Sequence, residues 1–76
     1  MATAIATHVN EDSLTEREIA VLRMVAEGNS NPDVARLLRI SVETVKQHMK
    51  NIAAKLGTND RAHAVAIAMK RGIIDP

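Results

Sequence analysis

Apolar residues recur along this chain at helical spacing, in four runs separated by short polar punctuation. The first run places Leu22, Val25 and Ala26 on one side, with Leu14 just ahead of it. Thr15 and Glu18 form a Thr-x-x-Glu capping box, so a helix is predicted over about 15–27 and ends at Gly28. The second helix, about 32–38, is capped by Ser30 or Asn31. It carries Pro32 in its first turn, where a missing N–H costs nothing. Val34, Ala35, Leu37 and Leu38 follow, and the chain turns at Arg39–Ile40–Ser41, with Ser41 as the next cap. A third helix is predicted over about 42–56, stopped by Gly57. At about 100° per residue, Val42, Val45, Met49, Ile52, Ala53 and Leu56 share its buried face. The opposite arc holds Glu43, Thr44, Lys46, Gln47, Lys50, Asn51, Ala54 and Lys55. A fourth helix, capped near Thr58–Asn59, covers about 60–71 and stops at Gly72. The expected fold is all-α: a compact four-helix domain over residues 14–76, preceded by a linker or tail, 1–13, with scope for a turn of helix at 2–9.

Composition narrows what such a domain can be. Seventy-six residues make one domain, and the absence of Phe, Tyr and Trp leaves the core to Leu, Ile, Val, Met and Ala. Without cysteine there are no disulfides and no thiolate metal sites, and a reducing compartment is permitted. No apolar run approaches the ~18 residues of a membrane span, and residues 1–13 lack the pattern of a secretion signal. The expectation is a cytoplasmic protein with no membrane contact. The net charge of +1 conceals a polarity: residues 1–33 hold two arginines against six carboxylates, whereas residues 34–56 hold five cations against Glu43 alone. Such a chain can present one basic surface to a polyanion without being basic overall.

The second and third helices are joined by too short a turn for an antiparallel hairpin, which forces a sharp crossing. A crossing of this kind needs a small residue at the contact, and Ala35 supplies it. Val34, Leu38, Ile40 and Val45 fall at the apolar positions that lock the pair. This is the layout of a helix-turn-helix, whose second helix presents its outer face to a DNA major groove.

The segment LTEREIAVLRMVAEGNSNPDVARLLRISVETVKQHMKNIAAKLG, followed by NDRAHAVAIAMKRGII, resembles the DNA-binding domain of the LuxR/FixJ/NarL family of bacterial transcription regulators. The likeness covers residues 14–74. Its most specific pieces are Leu-Thr-x-Arg-Glu at 14–18, Ile-Ser-x-x-Thr-Val-Lys-x-His at 40–48 and Lys-Leu-Gly at 55–57. Many members are response regulators in which a receiver domain precedes this module, and residues 2–13 resemble the end of such a linker. The chain departs from the pattern at Arg39, where such turns often hold Gly. It departs again at Pro32–Asp33, which replace a common Lys-Glu, and at Ala20, where Glu is common.

What the resemblance implies can be set on individual residues. Lys46, Gln47 and Lys50 match the base-facing positions; Lys can donate to guanine O6 and N7, and Gln can pair with adenine N6 and N7. Gln47 is the expected specificity-setting residue. Thr44, Asn51 and Lys55 flank that arc at angles suited to phosphates, and Ser30 and Asn31 sit at a helix N-terminus that favours an anion. The family dimerises through the fourth helix. Ala64, Val65 and Ala68 are therefore assigned to the core, and Ala62, Ala66 and Met69 to a partner subunit in a homodimer that is weak without DNA. The resemblance also pairs Glu18 with Arg61.

No cofactor or metal is expected. His48 has no second ligand at metal spacing on its helix, and His8 and His63 lie apart from it. Glu16 and Glu18 fit capping better than acid–base work. With no nucleophile–base pair, the chain is not expected to be an enzyme. Two alternatives remain: a helical interaction module whose basic face meets an acidic partner, and a sigma-factor-like promoter-binding domain, which the second apolar stripe of the fourth helix argues against.

Overall fold

The computed structural model describes residues 14–76, and among these the chain forms four helices: α1 (Glu16–Ala26), α2 (Asn31–Leu38), α3 (Val42–Leu56) and α4 (Arg61–Lys70). The expected linker, with its turn at 2–9 and His8, lies outside the described residues.

Helix starts follow side-chain chemistry. Thr15 Oγ1 accepts the Glu18 N–H at 3.0 Å, and Glu18 Oε1 accepts the Thr15 N–H at 2.9 Å, which completes the capping box. Ser30, not Asn31, caps α2. Asp33 answers it in a second capping box, with both hydrogen bonds at 3.3 Å. Ser41 caps α3 through the Thr44 N–H at 3.0 Å. The expected cap of α4 near Thr58–Asn59 is corrected to Asp60, whose Oδ1 accepts from the N–H groups of Ala62 and His63. Thr58 comes too early, because its own N–H closes α3 on the Ala53 carbonyl at 2.9 Å. Its hydroxyl instead accepts the Asp60 N–H and meets His63 Nδ1 at 3.0 Å.

The end of α2 shows what the missing glycine in the turn entails. At Gly57 (φ 78°) the chain reverses out of α3 in the left-handed region, and Arg39 makes the same reversal out of α2 at φ 59°. The hydrogen bonds match too, with the Ile40 N–H on the Ala35 carbonyl at 3.0 Å and the Arg39 N–H on that of Arg36 at 3.3 Å. An L-residue gives up about 1–2 kcal/mol in this conformation, part of which glycine's larger unfolded-state entropy takes back. Arg39→Gly is therefore expected to stabilise the domain by roughly 0.5–1 kcal/mol, raising the midpoint of thermal unfolding by a few degrees. An unchanged or lower midpoint would show that the turn is unstrained.

The core is built around α3, which packs against each of the other three helices. Val45 and Ile52 are fully buried, Met49 and Leu56 nearly so, and they meet Val21, Leu22 and Val25 of α1 and Val34 and Ala35 of α2. Ala64 and Ala68 of α4 are fully buried, as their assignment to the core requires, whereas Val65 is half-buried. Past Gly72 the chain doubles back. The Ile73 N–H bonds to the Ala68 carbonyl at 2.8 Å, and Ile74 enters the core, a contribution the helical periodicity did not announce. Ala62 and Ala66 are exposed, while Met69 is half-buried against the core.

Candidate nucleic-acid interface

With Val45, Met49, Ile52 and Leu56 turned inward, α3 must present the intervening residues outward. Lys46, Gln47 and Lys50 are all exposed, and together with Glu43 they border a shallow depression floored by Met49 and Ala53. Gln47 Nε2 donates to Asn51 Oδ1 at 3.0 Å, an i,i+4 pair that aligns both amides along the helix. Lys46 Nζ lies 3.7 Å from Glu43 Oε2, and Lys50 pairs with no acidic side chain among the described residues. The Thr44 hydroxyl shares a 2.8 Å hydrogen bond with that of Ser41, at the exposed start of the same helix.

The N-terminus of α2 is more occupied than its sequence implies. Asp33 folds back on the Ser30 N–H and is joined by Arg36 at 3.1 Å, so a carboxylate already complements this end of the helix. The Arg36 hydrogen bond and the bonds to Ser30 hold the Asp33 carboxyl below its usual range. Ser30 and Asn31 therefore stand beside a carboxylate that Arg36 already pairs.

Two cations find protein partners that the sequence did not announce. The pairing of Glu18 with Arg61 does not form. Lys55 takes its place, with Nζ 2.8 Å from Glu18 Oε1, although Lys55 was expected to face a phosphate. Glu18 is only 5% exposed, so its charge needs a partner, and the ammonium on the adjacent turn of α3 is the one that packing delivers. Burial pushes the Glu18 carboxyl up, but the Lys55 hydrogen bond and charge, with the bonds to Thr15, outweigh it and leave the carboxyl below the usual range.

Arg61 turns instead to the start of α2, donating to Asn31 Oδ1 at 2.7 Å and to the Asn29 carbonyl at 3.1 Å. It is exposed and borders the same depression as Lys46 and Lys50. Sequence reasoning missed this placement, and no local signal marks it, because its partners lie 30 and 32 residues upstream. Among the described residues, no group of three His, Cys, Asp or Glu side chains could hold a metal ion. No helix among them is long and apolar enough to cross a membrane.

An α2–turn–α3 unit with a polar, largely basic outer face, braced by α1 and α4, is a helix-turn-helix domain. Comparison with known proteins is more specific: residues 12–68 match the family described as bacterial regulatory proteins, luxR family, and the chain belongs to that family. Membership makes it a DNA-binding domain of transcription regulation. It is 45% identical over 65 residues to the transcriptional regulatory protein YdfI of Bacillus subtilis, a match covering 86% of this chain and 30% of that protein. It is 41% identical over 63 residues to the response regulator protein VraR of Staphylococcus aureus, covering 83% and 30%. The chain thus spans about 30% of the length of these relatives.

Proposed function

We propose that α3 enters the major groove of double-stranded DNA and that Lys46, Gln47 and Lys50 read base edges there. The observation that carries this reading is the outward row itself, three polar side chains on consecutive turns of a helix whose back is locked into the core. Thr44 and Asn51 flank the row at the level of the phosphates, with Ser30 and Asn31 beside it. Arg61 supplies the cation at that edge, and Lys55, bound to Glu18, serves the fold more than the interface. The exposed faces of Ala62 and Ala66, with the outer part of Met69, receive a second copy. So small an apolar face makes a weak dimer alone, and two half-sites about one helical turn apart hold it together.

The likeness to a response regulator supports a further proposal. Residues 1–13 are a linker, 14–76 form the effector domain, and a receiver domain governs it in a cytoplasmic two-component system.

Selection from a random duplex library tests the reading, followed by titration of the chosen site. Lys50→Ala is expected to weaken binding about tenfold, and Gln47→Ala to change preference at one base position while leaving affinity for random DNA nearly unchanged. The logarithm of affinity should fall with the logarithm of salt at about −0.9 per neutralised phosphate. If both variants bind like the parent, α3 is not the reading element. Salt-sensitive binding with no base preference would favour an acidic protein partner for the same face.

A further inference from the structure

The row that faces the groove in this reading includes a carboxylate that the cations alone leave unexplained. Glu43 lies one turn ahead of Lys46 and Gln47, borders the same depression, and has a side chain 83% exposed. Its Oε2 stands 3.7 Å from Lys46 Nζ. We propose that Glu43 is a specificity-determining residue that accepts a hydrogen bond from cytosine N4, acting with Lys46 as a matched reader of guanine–cytosine pairs. The proposal rests on α3 occupying the major groove.

An ionised carboxylate can only accept, and an anion brought into the groove of a polyanion is repelled unless a donor receives it. The major groove offers two kinds of donor, cytosine N4 and adenine N6. Adenine sets its amino group beside the acceptor N7, which opposes the second carboxylate oxygen. Guanine O6 and N7 and thymine O4 are all acceptors and oppose Glu43 outright. Across a guanine–cytosine pair, donor N4 stands next to acceptor O6, the complement of a carboxylate beside an ammonium. The Glu43–Lys46 couple has that polarity, in the N-terminal part of the helix that meets base edges in helix-turn-helix complexes. Stability is a weak rival explanation, since an ion pair this exposed contributes little to folding.

Glu43→Gln keeps the shape and removes the charge. Library selection with the parent, Glu43→Gln and Glu43→Ala should return a cytosine at one position per half-site for the parent. Both variants should relax discrimination at that position about fivefold or more. Affinity for random duplex should rise about threefold in both, because a repelling charge has gone. If the variants keep every base preference of the parent, with or without a uniform rise in affinity, Glu43 reads nothing and the proposal fails while α3 remains the reading helix. If the parent itself shows no base preference, the placement of α3 fails and takes this proposal with it.

Discussion

Lys55→Met is expected to cost about 2–3 kcal/mol of stability, far more than an ordinary surface lysine, and to blunt the response of stability to acid. The reason is the asymmetry of the pair: the Glu18 side chain is 6% exposed and that of Lys55 33%. Removing the ammonium leaves a buried carboxylate that accepts from the Thr15 N–H, and breaking a buried pair from one side typically costs about 3–5 kcal/mol. Partial hydration through the exposed Lys55 side of the pair lowers that cost. Removing the other partner should be milder, because in Glu18→Gln the amide oxygen still accepts from Thr15 and Lys55 can reach water; about 1 kcal/mol is expected.

In the parent, the lowered carboxyl contributes stability that is fully present above its unfolded value near 4.5 and is lost as pH falls through the lower folded value. In Lys55→Met the hydrogen bond and charge that offset burial are gone, the folded value rises, and the variant loses less stability than the parent as pH falls below about 4.5. Urea unfolding of both proteins from pH 7 down through that window checks the difference. A variant that loses stability on acidification in parallel with the parent would show that Lys55 does not neutralise Glu18.

This pair also marks the boundary of what was legible in the sequence. The Thr15–Glu18 box, the Ser41 cap and the Gly57 stop are encoded within a few residues, because a cap is satisfied by its near neighbours. The buried and outer faces of α3 are legible for a similar reason, since a single period places Val45, Met49 and Ile52 together. Which cation meets Glu18 is another kind of question. Lys55 lies 37 residues away, and it wins over Arg61 only because α1 packs on α3 at that height. The choice of Asp60 over Thr58 as the cap of α4 likewise depended on how α3 ends, and Ile74 reached the core only through the reversal at Gly72. Of the candidate interface, the row on α3 was therefore readable beforehand. The Asp33 carboxylate at the start of α2 and the Arg61 guanidinium beside it were not.

Ala35→Leu is expected to damage DNA binding more than any change on the reading row, although the residue touches no nucleic acid in the proposed complex. Ala35 is 6% exposed on α2, which packs against α3, and its carbonyl anchors the turn between them through the Ile40 N–H. The two helices cannot move apart to admit a larger side chain, because only Arg39–Ile40–Ser41 connects them. Added methylenes in a packed core typically cost about 1–3 kcal/mol, and this site belongs at the upper end. Strain that is not released by unfolding must rotate α2 against α3 and carry Ser30, Asn31 and the Arg61 contact out of line with Lys46, Gln47 and Lys50. Binding by the folded fraction should fall more than tenfold and its salt dependence should become shallower, since fewer phosphates are met at once. Ala35→Gly separates this from simple loss of stability: it costs about 1 kcal/mol through helix propensity but leaves the crossing unobstructed, so it should bind nearly as the parent does. Both variants are to be titrated with DNA under conditions where urea unfolding shows them folded. If Ala35→Leu then binds with the parent's affinity and salt slope, the α2–α3 angle is not what aligns the interface.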